Sequence, residues 1–274
     1  MNPTDTYVRN GARAEHQRKD PPPYVPGMDA AGVLEAIGDG VETDLEVGDH
    51  VMAIVLPDGA HGGYCQRLAL PAGSVARTPA GASFAEASTI PMNGLTARLA
   101  LDELDVSSGG TVAVTGAAGA FGGYCVQLAK ADGLRVIADA SEADEQLVRD
   151  LGADIVVRRG HGMAERILEH APDGVDGLCD GSVQDEALFP AIRDGGGFAA
   201  VRGLKVDAPR GIRMHQVWVR RYLEEQAKLD RLRQQVEDDQ VTMRVAQTFP
   251  MDQAGEAHRL LEAGGVRGRL VIEL

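Results

Sequence analysis

Gly116, Gly119 and Gly122 close the run Thr-Val-Ala-Val-Thr-Gly-Ala-Ala-Gly-Ala-Phe-Gly at 111–122, a short apolar strand pattern followed by an amphipathic helix pattern. Glycines at this spacing let a chain turn tightly after a strand, approach a pyrophosphate with its backbone and pack a helix close to the strand. The helix N-terminus then offers N–H groups to the phosphates, so Ala118, Ala120 and Phe121 join the three glycines as dinucleotide-binding candidates. A second apolar stretch, Leu134 to Ala138, ends at Asp139, roughly twenty residues beyond the loop, where an acid can accept from an adenosine ribose. Ser141 follows it as a further cofactor candidate. An ionised Asp139, with Glu142 and Asp144 nearby, repels a 2′-phosphate and accepts from a free 2′-hydroxyl. Arg158 and Arg159, after the third strand, offer the opposite charge. The balance marginally favours NAD(H) over NADPH.

The elements that must position these residues alternate. Strands at 111–115, 134–138, 154–157, 174–179 and 197–201 are separated by helical patterns at 122–131, 142–151, 162–170 and 185–192, which predicts an α/β, Rossmann-type, doubly wound parallel sheet. Before this lies a glycine- and proline-punctuated region with apolar stretches at Ala31–Ile37, His50–Leu56 and Tyr64–Leu70, read as antiparallel strands of a mostly β domain. Ala87, Ile90, Leu95, Leu99 and Leu104 have helical spacing and bridge the two regions. Residues 216–239 carry an apolar stripe among charges, the pattern of one or two surface helices. A strand at 244–249, a helix at 251–262 and a last strand at 269–274 end the chain.

Composition excludes several classes. With 274 residues, 44% hydrophobic and 25% charged, the chain fits a two-domain globular protein. A net charge of −14 without a basic stripe argues against nucleic acid and anionic membranes as partners. No apolar run approaches the roughly eighteen residues of a membrane span, and the first ten residues are polar, so a cytoplasmic location is expected. Cys65, Cys125 and Cys179 are odd in number and widely spaced, the usage of free thiols.

The opening Asn2-Pro3-Thr4-Asp5-Thr6-Tyr7-Val8-Arg9-Asn10-Gly11 resembles the Asn-Pro-x-Asp-x-Tyr-x-Arg-x-Gly segment of the zinc-free quinone oxidoreductases, the zeta-crystallin-like group of the medium-chain dehydrogenase/reductase superfamily. Pro26-Gly27-Met28-Asp29-Ala30-Ala31-Gly32 resembles that group's Pro-Gly-x-Asp/Glu-x-x-Gly segment. Val47 to Val51, Ile90 to Ala97, the Gly116 loop and the tail from Phe249 to Leu274 follow in the family's order. The resemblance implies a GroES-like catalytic domain at 1–94, a Rossmann domain at 95–240 and a return to the catalytic domain at 241–274. The Asn2 segment normally lies some tens of residues into such a protein, so an N-terminally shortened catalytic domain is expected.

The resemblance also implies the chemistry. Met28 stands where the zinc alcohol dehydrogenases carry a ligand histidine, and Ile90 to Gly94 offers no cysteine, so no metal is expected. Hydride transfer without a metal needs positioning and a hydrogen-bond donor for the oxygen that gains charge. Tyr7 is the leading catalytic candidate and Asn2 the second, with Asn93 and Thr96 near the nicotinamide. Gly203 is expected near the same ring, and Gly268 and Arg269 to close on the cofactor. The short-chain dehydrogenases are excluded because no tyrosine is followed four positions later by lysine. The expectation is a zinc-independent NAD(P)H-dependent oxidoreductase reducing a quinone or activated enone, a homodimer acting on a small molecule in a cleft between its domains. The alternative is a dinucleotide-binding protein with little or no catalysis.

Overall fold

The computed structural model describes residues 1–12, 14–17 and 22–274. In chain order, α1 (Pro3–Asn10) and α2 (Ala14–Gln17) precede β1 (Asp29–Val33), β2 (His50–Ile54), β3 (Val75–Arg77), α3 (Phe84–Ala87) and α4 (Pro91–Leu104). There follow β4 (Thr111–Thr115), α5 (Ala120–Ala131), β5 (Arg135–Ala140), α6 (Glu145–Asp150), β6 (Ile155–Arg158), α7 (Met163–Leu168), β7 (Val175–Asp180), β8 (Ile192–Ala200) and β9 (Arg213–Gln216). Then come α8 (Gln226–Glu237), β10 (Val245–Pro250), α9 (Ala254–Ala263) and β11 (Arg269–Glu273). Contacts divide the chain into two compact units, Met1–Leu95 with Arg220–Leu274, and Thr96–Val219.

The second unit is built on a parallel six-stranded sheet of order β6-β5-β4-β7-β8-β9. Its central strands are apolar on both faces, as a sheet covered on both sides requires: Val112, Ala113, Val114, Val136, Ile137 and Leu178 are all buried. Phe198, Ile137, Leu178, Leu188, Ile167 and Met163 belong to one core cluster, in which Phe189 meets Phe198 edge-on at 5.2 Å. Each such side chain contributes about 1.5–3 kcal/mol by leaving water. The expected helix at 185–192 is a 3-10 segment, Asp185–Ala191, with Pro190 inside it. Proline supplies no N–H for the α-helical ladder. Strand β9 has no counterpart in the sequence reading; it pairs with β8 from Gly197↔Arg213 to Ala200↔Gln216.

The first unit contains the antiparallel sheet β1-β2-β3, in register at Ala31↔Met52 and Met52↔Ala76, and the parallel pair β10-β11. Leu45, Ala53 and Val75 form one small core, and Phe249, Ala257 and Leu270 another. Helix α3 starts at a capping box in which Ser83 and Glu86 satisfy each other's backbone N–H groups. The strand expected at Tyr64–Leu70 does not form. The chain there instead hydrogen-bonds backward, Gly63 N–H to Gly27 and Tyr64 N–H to Pro26, and a Cβ on Gly62 would lie 2.0 Å from the Val25 carbonyl oxygen. The return to this unit begins at Arg220, earlier than 241, because the segment around α8 is tied to β3 and its approach. Ser74 Oγ donates to the Leu223 carbonyl at 2.7 Å, and Gln226 Nε2 to that of Val75 at 2.9 Å.

Candidate functional site

In the second unit the chain runs β4, β5, β6 toward one edge of the sheet and then returns to place β7 on the other side of β4. By the general rule for open α/β sheets, such a reversal marks the ligand-binding crevice, here at the carboxyl ends of β4 and β7. The glycine turn lies there. Gly116 has φ +68°, and a Cβ on it would sit 2.8 Å from the Gly181 backbone. A Cβ on Gly122 would sit 2.3 Å from the Gly116 carbonyl oxygen, so only glycine lets the first turn of α5 close onto the loop. Gly119 is the N-cap residue of α5 and brings no side chain of its own to the cap. The N–H groups of Ala120, Phe121 and Gly122 therefore open the helix uncapped by a side chain, the arrangement that takes an anionic pyrophosphate. These residues fit a dinucleotide.

Asp139 lies one residue before the end of β5 and is 3% exposed. Its Oδ1 accepts from the Ala117 N–H at 3.0 Å, and the Gly116 N–H lies near the same carboxylate. Burial pushes this carboxyl above the usual range, against the pull of those two N–H groups and the nearby Arg159 charge. The carboxylate thus fastens the glycine turn. Ser141 Oγ donates to Asp144 at 2.5 Å beyond the strand. Arg158 reaches Glu142 at 3.6 Å, while the exposed Arg159 has a backbone bond to Ala140 and no ion pair with another described residue. Gly203, at φ +71°, follows β8 with Trp218 against it, 3.2 Å from where a Cβ would stand. Thr96 is buried on α4.

In the first unit, Asn2, Asn93 and Arg269 come together, but not around an opening. Asn2 is 1% exposed; its Nδ2 donates to Asp29 at 2.8 Å, and its Oδ1 accepts from Asn93 at 3.1 Å and Arg269 at 2.6 Å. Arg269 also pairs with Asp29 at 2.5 Å, both side chains 4% exposed, and the Met92 N–H donates to the other Asp29 oxygen at 2.7 Å. Asp5 accepts from the Asn2 and Gly27 N–H groups at 2.6 and 2.9 Å, tying α1 to the turn before β1. Gly268 has φ +134°, and its missing Cβ would stand 2.6 Å from the Arg244 carbonyl oxygen, a close strand crossing. Tyr7 is half-buried on α1, and its hydroxyl makes no hydrogen bond to another described residue.

Sequence reasoning missed two sets of residues. One is Tyr64 and His258, whose hydroxyl and Nε2 lie 3.2 Å apart, with burial raising the tyrosine and lowering the histidine. The other is Thr115, Asp180 and Ser182, linked across the ends of β4 and β7. For the second set, polar residues at the ends of β4 and β7 were the available signal. Among the described residues no three His, Cys, Asp or Glu side chains gather as a zinc site would need, and Met28 is buried.

Residues 1–99 match a family model described as the alcohol dehydrogenase GroES-like domain, and residues 151–272 one described as zinc-binding dehydrogenase. A probable quinone oxidoreductase of Schizosaccharomyces pombe is 29% identical, over 99% of this chain and 85% of its own length. A chloroplastic NADPH-dependent alkenal/one oxidoreductase of Arabidopsis thaliana is 31% identical over 74% of this chain, which spans 53% of the plant protein. Among solved structures, an alcohol dehydrogenase superfamily protein from Novosphingobium aromaticivorans has a TM-score of 0.90 at 28% identity, covering 100% of this chain and 88% of its own. A mycobacterial protein complexed with NADPH has a TM-score of 0.85 at 26% identity, with the same two coverages, 100% and 88%. With a GroES-like segment ahead of a nucleotide-binding sheet, and structural likeness running its whole length, the chain belongs to the medium-chain dehydrogenase/reductase superfamily.

Proposed function

We propose that the protein is a zinc-independent, NADPH-dependent oxidoreductase that reduces a quinone or the activated double bond of an enone. The observation that carries this reading is the glycine cradle at the β4/β7 crevice, backed by an uncapped helix N-terminus. The relatives named for quinone and alkenal reduction support the substrate class. The cradle residues hold the pyrophosphate, and when bound the reduced nicotinamide supplies the hydride. In an enone the hydride adds to the β-carbon, the double-bond electrons move to the carbonyl oxygen, and a proton restores neutrality. Tyr7 donates a hydrogen bond to that oxygen, which needs no metal for its charge. Asn2, with both ends of its amide engaged, serves by holding α1 against β1 and α4.

The marginal preference for NADH is weakened by the position of Asp139, a buried carboxylate whose Oδ1 already accepts from the Ala117 N–H. Arg159 is left as a counter-charge for a 2′-phosphate. NADPH is therefore the proposed cofactor. Arg159→Ala is expected to weaken NADPH binding about tenfold and leave NADH unchanged in fluorescence titrations, a factor worth about 1.4 kcal/mol; equal effects on both remove Arg159 as the selector. No described helix is long and apolar enough to cross a membrane. A cytoplasmic homodimer is the proposed form, which light scattering at several concentrations tests. The activity itself is tested by NADPH oxidation with a panel of quinones and enones in the presence of a chelator. NADPH binding without turnover would favour a binding protein.

A further inference from the structure

Asp180 ends β7 at the same crevice, is 2% exposed, and gathers five donors. Its Oδ1 accepts from Thr115 Oγ1 at 2.6 Å, from the Ser182 N–H at 3.1 Å and from Ser182 Oγ at 3.2 Å. Its Oδ2 accepts from the Gln184 and Asp185 N–H groups at 2.9 and 2.8 Å. The Thr115 bond crosses from the end of β4, one residue before Gly116, to the end of β7. Ser182 Oγ adds a second crossing at 2.8 Å. The two loops also touch directly: a Cβ on Gly181 would lie 2.7 Å from the Thr115 carbonyl oxygen and 3.0 Å from the Phe121 ring.

The loop so held is in an unfavourable conformation. Val183 has φ +57° and Asp185 φ +54°, left-handed values that a β-branched residue such as valine rarely adopts. Such a backbone persists only where its surroundings over-determine it, and residues of this kind cluster at ligand sites. Here the five donors on one carboxylate supply the over-determination.

We infer that Asp180 is a positioning residue that presets the Ser182–Asp185 loop beside the Gly116–Gly122 cradle, so that the dinucleotide meets a loop already in its bound shape. The inference rests on the cradle's binding a nicotinamide dinucleotide, as proposed above. It goes further by assigning the ordering of the neighbouring loop to a residue that touches the cofactor only through others. An ordered loop spares the conformational entropy that binding would otherwise cost, so its loss reads out as affinity.

Two variants test this by NADPH fluorescence titration and by amide hydrogen exchange of the cofactor-free chain. Asp180→Asn replaces one acceptor oxygen with an amide nitrogen facing N–H donors. It is expected to weaken NADPH binding at least tenfold and to speed exchange across 181–185. Ser182→Ala removes the hydroxyl that ties the loop to Thr115 and Asp180 while leaving the backbone donors to Asp180 in place. It is expected to weaken binding about threefold to tenfold, and it decides the matter if Asp180→Asn does not fold. Wild-type binding with unchanged affinity in the folded variants overturns the inference alone, even if their melting temperature falls. A wild-type chain that binds neither NADPH nor NADH overturns the proposed cofactor and the inference together.

Discussion

The glycine turn ahead of α5 and the polar cluster around Asn2 are both dense in hydrogen-bonding groups, yet they dispose of them in opposite ways. At the turn, the first N–H groups of α5 have no side-chain cap, and glycines keep side chains out of the space before them. In the cluster, the Asn2, Asp29 and Arg269 side chains are buried and bond mainly one another, with Arg269 Nε alone lacking a partner among the described residues. A site for a ligand leaves its donors exposed to that ligand, whereas a lock satisfies its groups internally because unmet buried polar groups cost free energy. By this criterion we propose the turn as a binding surface. The Asn2 cluster is a fastening, although the motif residues that carry the family resemblance lie within it.

The sharpest break in the comparison is Gly122→Val. Its side chain would occupy the place of the Gly116 carbonyl, and NADPH affinity in a fluorescence titration is expected to fall more than about a hundredfold, some 2.7 kcal/mol. Arg269→Leu acts on the other region. It leaves the Asp29 carboxylate buried without its cation, which is expected to cost about 3–5 kcal/mol in chemical denaturation. If the first variant spares NADPH binding, or the second changes affinity without changing stability, the roles assigned to the two regions are reversed.

How far the two regions were legible follows from how local each one is. Strand β4, the glycine turn and α5 are contiguous, and the change from apolar strand to glycine to helical period falls within Thr111–Ala131, so they were read from sequence. The Asp139 contact to the Ala117 N–H was not, because a carboxylate at a strand end can face a ribose or its own loop. Asn2 bonds Asp29, Asn93 and Arg269, partners distant in sequence whose convergence no periodicity announces. Strand β9, Arg-Met-His-Gln, is a short edge strand with little apolar signal, and Tyr64–Leu70 has that signal but no strand partner. The left-handed Val183 was invisible because valine is a good strand former and gives no sign of such a turn.

Smaller effects sharpen the account of the first unit. Burial lowers the His258 proton affinity, while Asp5 and Glu262 raise it and Arg9 and the amino terminus lower it. A histidine depressed in the folded state contributes stability above its unfolded value of about 6.5 and loses that contribution as the pH falls through its folded value. Melting temperature is therefore expected to drop on acidification below about pH 6.5. His258→Gln should flatten that part of the profile; an unchanged profile assigns the acid sensitivity to other groups. Arg9→Ala removes a half-exposed pair with Glu262 at 2.6 Å, and is expected to cost under about 1 kcal/mol. A larger loss would mean that the α1–α9 contact belongs to the fastening.

The most direct test of the central claim follows the hydride itself. The protein is supplied with NADPH deuterated at the transferring position of its nicotinamide, and with an enone in the presence of a chelator, and the product is analysed by mass spectrometry and NMR. The expected product is a saturated ketone carrying one deuterium on its β-carbon. A product without deuterium, or tight NADPH binding with no product, would contradict it.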